Sequence, residues 1–503
     1  MRSVFRADAS AEIGGGHAMR CLTLARSLEA LGWRCGFAVN DEAGETVPAL
    51  RHSDTLVLAA GENEPATLRR RWPEGVDWLI VDHYGRDAAW EAQCRGWAKA
   101  ILALDDLADR AHDCDVLLDQ TFGRRAEDYS GLTPAESRVL AGSEFALLRP
   151  GFAAARRESL QRRTGAGGLR RLLVGLGATD PENHSRQVLA GISRSGLPLA
   201  VDVVLGAGAR HLDDIRKLCA TMPQDTTLHV DASDMPGLMA RADLAIGAAG
   251  TTTWERCCLG LPSILVVIAE NQRRIASSVS ATGAAQLLAG PREALPGQIA
   301  EALIELARDP DRLYEMSQKA AAICDGRGCD RTGLALTAAG QSKDGRPVAL
   351  RLATADDEDL ILEWQRHPTT RKYARNPAVP SAAEHHEWFT RRLADPDCLL
   401  TIITLAGEAT GLLRIDPAAP AGAAQPAGSR EVSILVDPQC RGQGIALEAL
   451  RFLRRWQSDL IIAAAVLPGN EASAALFRTA GYEPGPAELL YSYSAQSAMN
   501  LSP

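Results

Sequence analysis

The sequence has no long hydrophobic run and no excess of positive charge. Its longest wholly apolar stretch, residues 460–467, falls well short of the ~18 residues that a membrane-spanning helix needs. The first ten residues lack the apolar core of a secretory signal. With 54 basic and 63 acidic residues the net charge is −9, which disfavours a surface that neutralises nucleic-acid phosphates. We therefore expect a cytoplasmic protein that binds neither membranes nor nucleic acid.

Cysteine pairs at the spacing of a metal site are also missing. The eleven cysteines form no Cys-x-x-Cys pair, and several stand in apolar or helical surroundings. The usual role of such a cysteine is that of a small buried hydrophobic residue. This usage indicates a reducing compartment, and we expect neither a disulfide scaffold nor a bound metal.

What is present is the composition of an ordinary globular protein. The 503 residues, 46% of them hydrophobic and 23% charged, predict two to four domains of about 100–200 residues each. Two polar stretches with glycine, residues 161–170 and 339–347, indicate joints. They divide the chain into predicted domains at residues 1–163, 164–340 and 346–503.

The first two segments alternate short apolar runs with helical patterns. The runs occupy residues 78–81, 100–104, 116–118, 171–176, 201–205, 244–246 and 264–268. Such runs are typical of buried parallel strands, and the helices between them imply two α/β sheets with a ligand in the cleft. In the third segment, strand-like stretches follow one another with few helices between them. This pattern favours a mainly antiparallel α+β domain.

A glycine-rich turn stands between the first strand and the first helix. Gly14, Gly15 and Gly16 allow the backbone to turn sharply and to approach a ligand closely. The helix N-terminus that follows suits a phosphate or another oxyanion. His17 comes next, and a neutral imidazole there can take a proton from water. The alternative is a tight turn followed by a histidine with structural duties only.

Polar residues follow two further strands of the first segment. Tyr84, placed just after Asp82, can hydrogen-bond a sugar hydroxyl or acetamide, or else cap the core at the rim. Asp105 and Asp106 follow the next strand. Because no third ligand stands at a suitable spacing, loop and helix-capping duty is favoured over a metal site.

The second segment offers another anion site at the ends of its strands. Its glycines and hydroxyls are Gly177, Gly250, Thr251 and Thr252. Glu255, one turn into the helix that follows, can accept both hydroxyls of a ribose or can merely complement the helix dipole. Asn271 and Gln272 follow the last apolar run and can also face the cleft.

These motifs occur together in one known family. The stretches RADAS, IGGGHAMRCLTLA, DHYG, LDDLADR, GSEFALLRP, GAAGTTTWERCCLGLP and AENQ, in this order over about residues 1–335, resemble the UDP-2,4-diacetamido-2,4,6-trideoxy-β-L-altropyranose hydrolases of pseudaminic acid biosynthesis. The resemblance implies two Rossmann-like lobes of GT-B type, with UDP held mainly by the second lobe, and cleavage of the anomeric C–O bond by water. It implies His17 as the general base, with Tyr84 and Asn271 near the sugar. The pyrophosphate and ribose would contact Gly250, Thr251, Thr252 and Glu255. No metal is required, because UDP can leave as an anion into helix N-termini.

A second constellation lies near the C-terminal end of the sequence. A strand at residues 431–436 is followed by a loop and then by a helix at 447–456; the loop residues are Arg441, Gly442, Gln443, Gly444, Ile445 and Ala446. Successive amides at such a turn can wrap a diphosphate. Together with residues 470–477 and 479–482, the loop resembles that of the GCN5-related N-acetyltransferases (GNAT). The resemblance implies acetyl-CoA as co-substrate, bound by the loop and by Asn470.

The residues that would catalyse acetyl transfer stay open. Many GNAT enzymes place a tyrosine general acid where this sequence has Phe477. Glu431 could act as a base through a water, or could be an exposed acid at a strand end. His386 lies in a stretch that resembles the sugar-amine N-acetyltransferases of the same pathway, and either faces the substrate or lies on a helix surface.

Together the two resemblances predict a bifunctional enzyme. The C-terminal domain would acetylate the 4-amino group of a UDP-4-amino-4,6-dideoxy sugar, and the two lobes before it would hydrolyse the diacetamido product. A GT-B glycosyltransferase that uses a UDP-sugar is the first rival interpretation, and a non-catalytic nucleotide-sugar-binding protein is the second. The sequence predicts no oligomeric state.

Overall fold

The computed structural model describes residues 1–10, 12–164, 167–395, 397–418, 429–457, 460–485 and 490–493. The chain forms two compact units, the first of residues 1–29 and 33–329 and the second of residues 30–32 and 330–503. Two parallel sheets lie in the first unit, each forming one lobe, and one mixed sheet lies in the second. Within the described ranges, no helix is both long enough and apolar enough to cross a bilayer.

The first lobe is built on a seven-stranded parallel sheet. Its strands and helices are β1 (Arg2–Ala7), α1 (Gly16–Ala30), β2 (Arg34–Val39), α2 (Ala43–Thr46), β3 (Asp54–Val57), α3 (Glu64–Arg71), β4 (Val76–Asp82), α4 (Ala88–Cys94), β5 (Ala98–Leu104), β6 (Val116–Asp119) and β7 (Arg138–Ala141). The strand order is β3-β2-β1-β4-β5-β6-β7. The order reverses direction between β1 and β4, and the crevice outside the ends of these two strands is where such sheets bind ligands.

The second lobe repeats this scheme with six parallel strands. Its elements are α5 (Pro150–Arg162), β8 (Arg171–Gly175), α6 (His184–Ser195), β9 (Ala200–Leu205), α7 (Leu212–Thr221), β10 (Asp225–Val230), α8 (Met235–Arg241), β11 (Leu244–Ala248), α9 (Thr252–Cys258), β12 (Ser263–Val266), α10 (Arg273–Ala281), β13 (Ala285–Leu288), α11 (Leu295–Arg308) and α12 (Pro310–Ile323). The next helix, α13 (Gly328–Leu336), begins in the first unit and continues into the second. The strand order is β10-β9-β8-β11-β12-β13, so the reversal falls between β8 and β11.

Both parallel sheets are covered by helices on their two faces, which explains their uninterrupted apolar strands. Leu79 and Ile80 are neighbours on β4 and point to opposite faces, yet both are fully buried. In the second lobe, α6 packs closely on α11 at Gly191. A Cβ there would lie 2.7 Å from Ile299, so the two helix backbones could not approach as they do with any larger residue.

The second unit has eight strands in a mainly antiparallel sheet. Its elements are β14 (Gly340–Gln341), β15 (Pro347–Leu352), α14 (Glu358–Arg366), α15 (Pro368–Arg371), α16 (Ala382–Ala394), β16 (Leu399–Leu405), β17 (Glu408–Pro417), β18 (Arg430–Val436), α17 (Ile445–Trp456), β19 (Ile462–Ala465), α18 (Glu471–Thr479), β20 (Glu483–Pro484) and β21 (Leu490–Tyr493). The order is β14-β15-β16-β17-β18-β19-β21-β20, and among the described residues β18 and β19 are its one parallel pair. The predicted succession of two parallel α/β sheets and a mainly antiparallel α+β domain is confirmed.

Candidate active site

The turn between β1 and α1 brings His17 to the reversal point of the first sheet. Gly14 has a left-handed φ of 80°, and its amide donates to the carbonyl oxygen of Ser10 at 2.8 Å, which closes the turn. His17 Nδ1 lies 2.6 Å from Oδ1 of Asp82, the last residue of β4. Because an ionised carboxylate only accepts hydrogen bonds, this shorter contact favours the tautomer with the proton on Nδ1 over the one that would accept from Nη2 of Arg20, which lies 3.1 Å from the same nitrogen.

Asp82 is buried and contacts the side chains of His17 and Arg20. Arg20, on the same face of α1 as His17, donates from Nε to Oδ2 and from Nη2 to Oδ1, each at 2.6 Å. Burial alone would raise the pKa of Asp82, but the charges of Arg20 and His17 outweigh it and hold that pKa well below its usual range. Asp82 is therefore an acceptor for His17 throughout the physiological pH range.

Tyr84 lies against His17 at the same edge of the sheet. The two ring centroids are 4.8 Å apart, with the rings edge to face at 85°. Partial burial and the Asp106 carboxylate raise the pKa of Tyr84 above its usual range, against the opposing effects of Arg20 and of a hydrogen bond from Asn271. The phenol therefore stays protonated at neutral pH and can donate. Since Asn271 lies between β12 and α10, this contact joins the ligand-facing edges of the two lobes.

His83, the next residue after Asp82, cannot serve as a base in the same way. Its Nε2 lies 2.9 Å from Oδ2 of Asp8, and its Nδ1 accepts the amide of Gly85 at 2.8 Å. Both of its ring nitrogens are thus engaged. For His17 Nε2, no partner is found in the part of the chain that the structure describes.

A buried ion network fixes this end of the first sheet. Arg6 donates to both carboxylate oxygens of Glu64, at 2.8 and 3.1 Å, and also pairs with Asp8. Arg86 donates to the same Glu64 carboxylate. Burial alone would raise the pKa of Glu64, but the two arginines lower it to about 2. The network therefore depends on ionised carboxylates.

The reversal point of the second sheet carries the predicted nucleotide-binding residues. Gly177 follows β8 with a φ of 104°, and a Cβ added there or at Gly250 would meet no atom within 4 Å. Thr251 and Thr252 are half-buried at the end of β11. The backbone at these positions therefore has open space in front of it, as a bound ligand would require.

Glu255 and Gln272 have partners within the first unit. A guanidinium nitrogen of Arg149 lies 3.6 Å from Oε1 of Glu255, whose side chain is 15% exposed. Burial raises the pKa of Glu255, and Arg149 opposes this effect. The side chain of Gln272 accepts the amide of Ile268 at 3.3 Å and so braces its own loop.

Several residues of this edge were not predicted from the sequence. The sequence gives no role to Asp82, Arg20 or Arg149, and it favours loop or capping duty for Asp106, which the structure places beside Tyr84 and Arg20. The position of Arg20 one helical turn after His17 was a usable signal. Asp105, in contrast, accepts the amide of its own loop at Ala108 and pairs with an arginine, as loop duty requires.

In the second unit, the parallel pair β18 and β19 separates almost at once. The two strands pair only at Arg430 with Ile462 and at Glu431 with Ala463. β18 continues to Val436 with no partner on that side among the residues that the structure describes. The unpaired part of β18 leads directly into the predicted coenzyme loop.

That loop turns tightly at two glycines. Gly442 and Gly444 have left-handed φ values of 78° and 86°. Arg441 donates to the hydroxyls of Thr369 and Thr370 at 2.7 and 3.2 Å, which ties the loop to α15. The Arg441 guanidinium therefore lies at the exposed surface between the loop and α15.

The other predicted coenzyme residues play different parts. The Ile445 side chain is buried in the core, so only its backbone could face a ligand, and Ala446 is half-buried in the first turn of α17. Gln443 accepts a hydrogen bond from Arg346 at 2.9 Å. Asn470 caps α18 by accepting the amide of Ser473 at 3.2 Å.

The three residues considered for acetyl transfer each contact a different partner. Glu431 is ion-paired with Arg375 at 2.5 Å, and its side chain is 18% exposed. Phe477 is buried edge to face against Tyr482, with ring centroids 5.2 Å apart. His386 is exposed on α16 and pairs with Glu358 at 2.9 Å, which is the helix-surface alternative.

Family models of known proteins match two separate parts of the chain. Residues 348–483 match the acetyltransferase (GNAT) domain model, and residues 194–326 match the glycosyltransferase family 28 C-terminal domain model. The spore coat polysaccharide biosynthesis protein SpsG of Bacillus subtilis is 27% identical over 321 residues, which cover 62% of this chain and 87% of that protein. The UDP-2,4-diacetamido-2,4,6-trideoxy-β-L-altropyranose hydrolase of Campylobacter jejuni is 25% identical over 284 residues, or 56% of this chain and 97% of that one.

Among solved structures, MurG of Acinetobacter baumannii aligns with a TM-score of 0.48 at 16% identity, covering 66% of this chain and 98% of its own. The sequence matches confirm the predicted fold class and the two predicted resemblances. The chain is homologous to the Campylobacter jejuni hydrolase and to SpsG over two Rossmann-like lobes of GT-B type, and it carries a GNAT acetyltransferase domain after them.

Proposed function

We propose that the two lobes hydrolyse UDP-2,4-diacetamido-2,4,6-trideoxy-β-L-altropyranose to UDP and the free sugar, and that the GNAT domain acetylates the 4-amino group of the precursor UDP-sugar. One observation carries the first activity: His17 is oriented by the buried Asp82 carboxylate, with Nε2 left open at the reversal point of the first sheet. Homology to the Campylobacter jejuni hydrolase supports the choice of substrate. Both reactions would take place in the cytoplasm.

Hydrolysis needs a nucleophilic water at the anomeric carbon. Nε2 of His17 takes one proton from the water while its oxygen bonds to that carbon, and the bond between the carbon and the UDP oxygen breaks. UDP keeps the electron pair of that bond and leaves as an anion. The Asp82 carboxylate, which accepts from Nδ1, stabilises the imidazolium that forms.

The remaining predicted residues would hold the substrate on either side of the reacting carbon. Tyr84 is a protonated donor beside His17, and Asn271 contacts it from the second lobe, which suits both residues to the acetamido sugar. The open backbone at residues 250–252 would take the diphosphate, and Glu255 the ribose hydroxyls.

Acetyl transfer would use acetyl-CoA on the loop that follows β18. The 4-amino nitrogen attacks the thioester carbonyl, the C–S bond breaks, and coenzyme A leaves as a thiolate that is protonated by water or by another group. Glu431, at the start of the strand before the loop, would accept the proton that the amine loses. The product of this reaction is the proposed substrate of the two lobes.

The first test is release of UDP from the diacetamido sugar nucleotide by the purified full chain with no acceptor present. We expect turnover by the wild type, none by His17→Gln, and unchanged turnover by His52→Gln, an exposed histidine at the end of the 3-10 helix Pro48–His52. Calorimetry should show that His17→Gln still binds UDP. Release only when an acceptor sugar is added would instead indicate a glycosyltransferase, and binding of UDP without any turnover a binding protein.

The second test supplies the 4-amino UDP-sugar together with acetyl-CoA. We expect free coenzyme A, detected as thiol, and a product whose NMR spectrum shows a new acetamide at C4, followed by UDP release. Absence of free coenzyme A would refute the proposed acetyl transfer and leave the hydrolase proposal standing.

A further inference from the structure

Arg256, on α9, is a buried cation that interacts with the charge of Glu255, the preceding residue, but forms no ion pair with it. Its residue is 3% exposed, and no carboxylate forms an ion pair with it among the residues that the structure describes. Nη2 donates to the Ala248 carbonyl at 2.8 Å and to the Thr253 hydroxyl at 3.1 Å, and Nη1 donates to the Thr252 hydroxyl at 3.2 Å. Nε is buried without a partner.

The guanidinium lies at the reversal point of the second sheet. A Cβ on Gly247 of β11 would lie 2.5 Å from Nη1 of Arg256, so the arginine fills the place of a side chain there. The neighbouring strand β8 ends at Gly175, where a Cβ would meet no atom within 4 Å. Gly247 is the register partner of Gly175, so both strands that flank the ligand crevice carry glycine at this level, and Gly247 lies against the buried charge.

Burying a charge without an ion-paired counter-ion is costly, and the charge of Glu255 only partly offsets the burial of Arg256. Burial lowers the pKa of Arg256 to about 10, which still leaves the side chain protonated at neutral pH. The site therefore presents a positive charge that an anionic ligand in the crevice can compensate. The hydroxyl oxygen of Thr252 accepts from Arg256, so its own O–H is free to donate to such a ligand.

A second buried arginine of the same lobe shows the contrast. Arg163 also lacks a carboxylate partner among the described residues, but it donates to the carbonyl oxygens of Leu259, Ala242 and Met239 at 2.7–3.1 Å. These contacts cap backbone at the end of α8 and α9 and give Arg163 a structural role. Arg256 instead contacts the loop at residues 248–252.

We propose that Arg256 is a positioning residue for the diphosphate: it orients the Thr252 hydroxyl and gives the second lobe its preference for uridine nucleotides with a β-phosphate over uridine. The inference rests on the proposed function, in which a UDP-sugar binds this lobe. The same charge would favour departure of UDP, because the β-phosphate becomes more negative as the glycosidic bond breaks.

Calorimetry with uridine, UMP and UDP on the full chain tests this role. If Arg256 has a purely structural role, its replacement should lower the affinities for all three ligands alike. If its charge acts on the diphosphate, the loss of affinity should increase with the number of phosphates. For Arg256→Met we expect the UDP affinity to fall about tenfold more than the uridine affinity, with UMP between them. Arg256→Lys should retain most of the preference for UDP, and Arg163→Met, the matched control, should leave the UDP-to-uridine ratio unchanged.

Equal losses for UDP and uridine in Arg256→Met would overturn the inference, as would an Arg256→Lys variant that loses the preference completely. Should Arg256→Met fail to fold, Thr252→Val carries the same test, and an unchanged UDP-to-uridine ratio in that variant overturns the inference. A wild-type chain that binds UDP no better than uridine would refute the proposed nucleotide site and this inference with it. A UDP preference that survives Arg256→Met refutes the role of Arg256 alone.

Discussion

Replacing Asp82 with asparagine tests whether its carboxylate sets the protonation state of His17. Asp82 accepts from His17 Nδ1 and twice from Arg20, all at 2.6 Å. An asparagine is nearly isosteric, but its amide group can donate to Nδ1. The imidazole would then carry its proton on Nε2, and Nε2 could no longer take a proton from water.

The expected loss follows from the position of the side chain. General-base catalysis by a positioned histidine contributes about 10²–10⁴-fold, so kcat for UDP release should fall by about that factor in Asp82→Asn. KM should change little, because Asp82 is 1% exposed behind His17 and would touch no substrate. Removing one partner of its buried ion pair with Arg20 should lower the free energy of unfolding by about 3–5 kcal/mol.

The assay compares kcat and KM of the wild type, Asp82→Asn, His17→Gln and the double variant at a temperature where urea unfolding shows all four to be folded. Because the two residues act as one unit, the double variant should be no slower than His17→Gln. UDP affinity should be the same in all four proteins.

Two results would refute the reasoning. One is a folded Asp82→Asn variant with wild-type kcat, which would mean that the carboxylate does not set the tautomer of His17. The other is a double variant in which the two losses multiply, which would mean that Asp82 and His17 act independently.

Three further predictions concern stability and acetyl transfer. The pKa of Glu64 is lowered from 4.5 to about 2 in the folded protein. Its ionised carboxylate therefore stabilises the folded state fully above pH 4.5, and this stabilisation is lost as the pH falls towards 2. The free energy of urea unfolding of Glu64→Gln should depend less on pH in this window than that of the wild type. Phe477→Tyr should not speed coenzyme A release, and it should lower the free energy of unfolding by about 1–3 kcal/mol because the new hydroxyl is buried. A release about tenfold faster than that of the wild type would show that this ring reaches the thiolate. Glu431→Gln should lower kcat for coenzyme A release by about 10²-fold or more, with KM for acetyl-CoA unchanged, and a wild-type kcat would place the base elsewhere.

Much of the fold could be predicted because its signals are local. The apolar run at residues 78–81 lies within β4, and the run at 244–246 lies within β11, since strands buried on both faces need apolar residues at every position. The helix after the coenzyme loop was predictable from its amphipathic pattern. In contrast, Gly340–Gln341 is a two-residue strand in a polar stretch and carries no such signal. The stretch predicted as a joint at residues 339–347 therefore contains a strand that pairs with β15 in the third sheet.

The site divides in the same way. The sequence by itself determined the residue types that can do the chemistry, namely the glycine turn with His17, Tyr84 at a strand end and the glycine loop at residues 441–446, because these depend on neighbours along the chain. It could not pair His17 with Asp82, which lies 65 residues away. That contact exists because β4 and not another strand lies beside β1, with Asp82 opposite Ala7. The burial of Arg256 without an ion-paired carboxylate was likewise decided by the tertiary structure, since burial and ion pairing depend on which distant residues the packed sheets bring together.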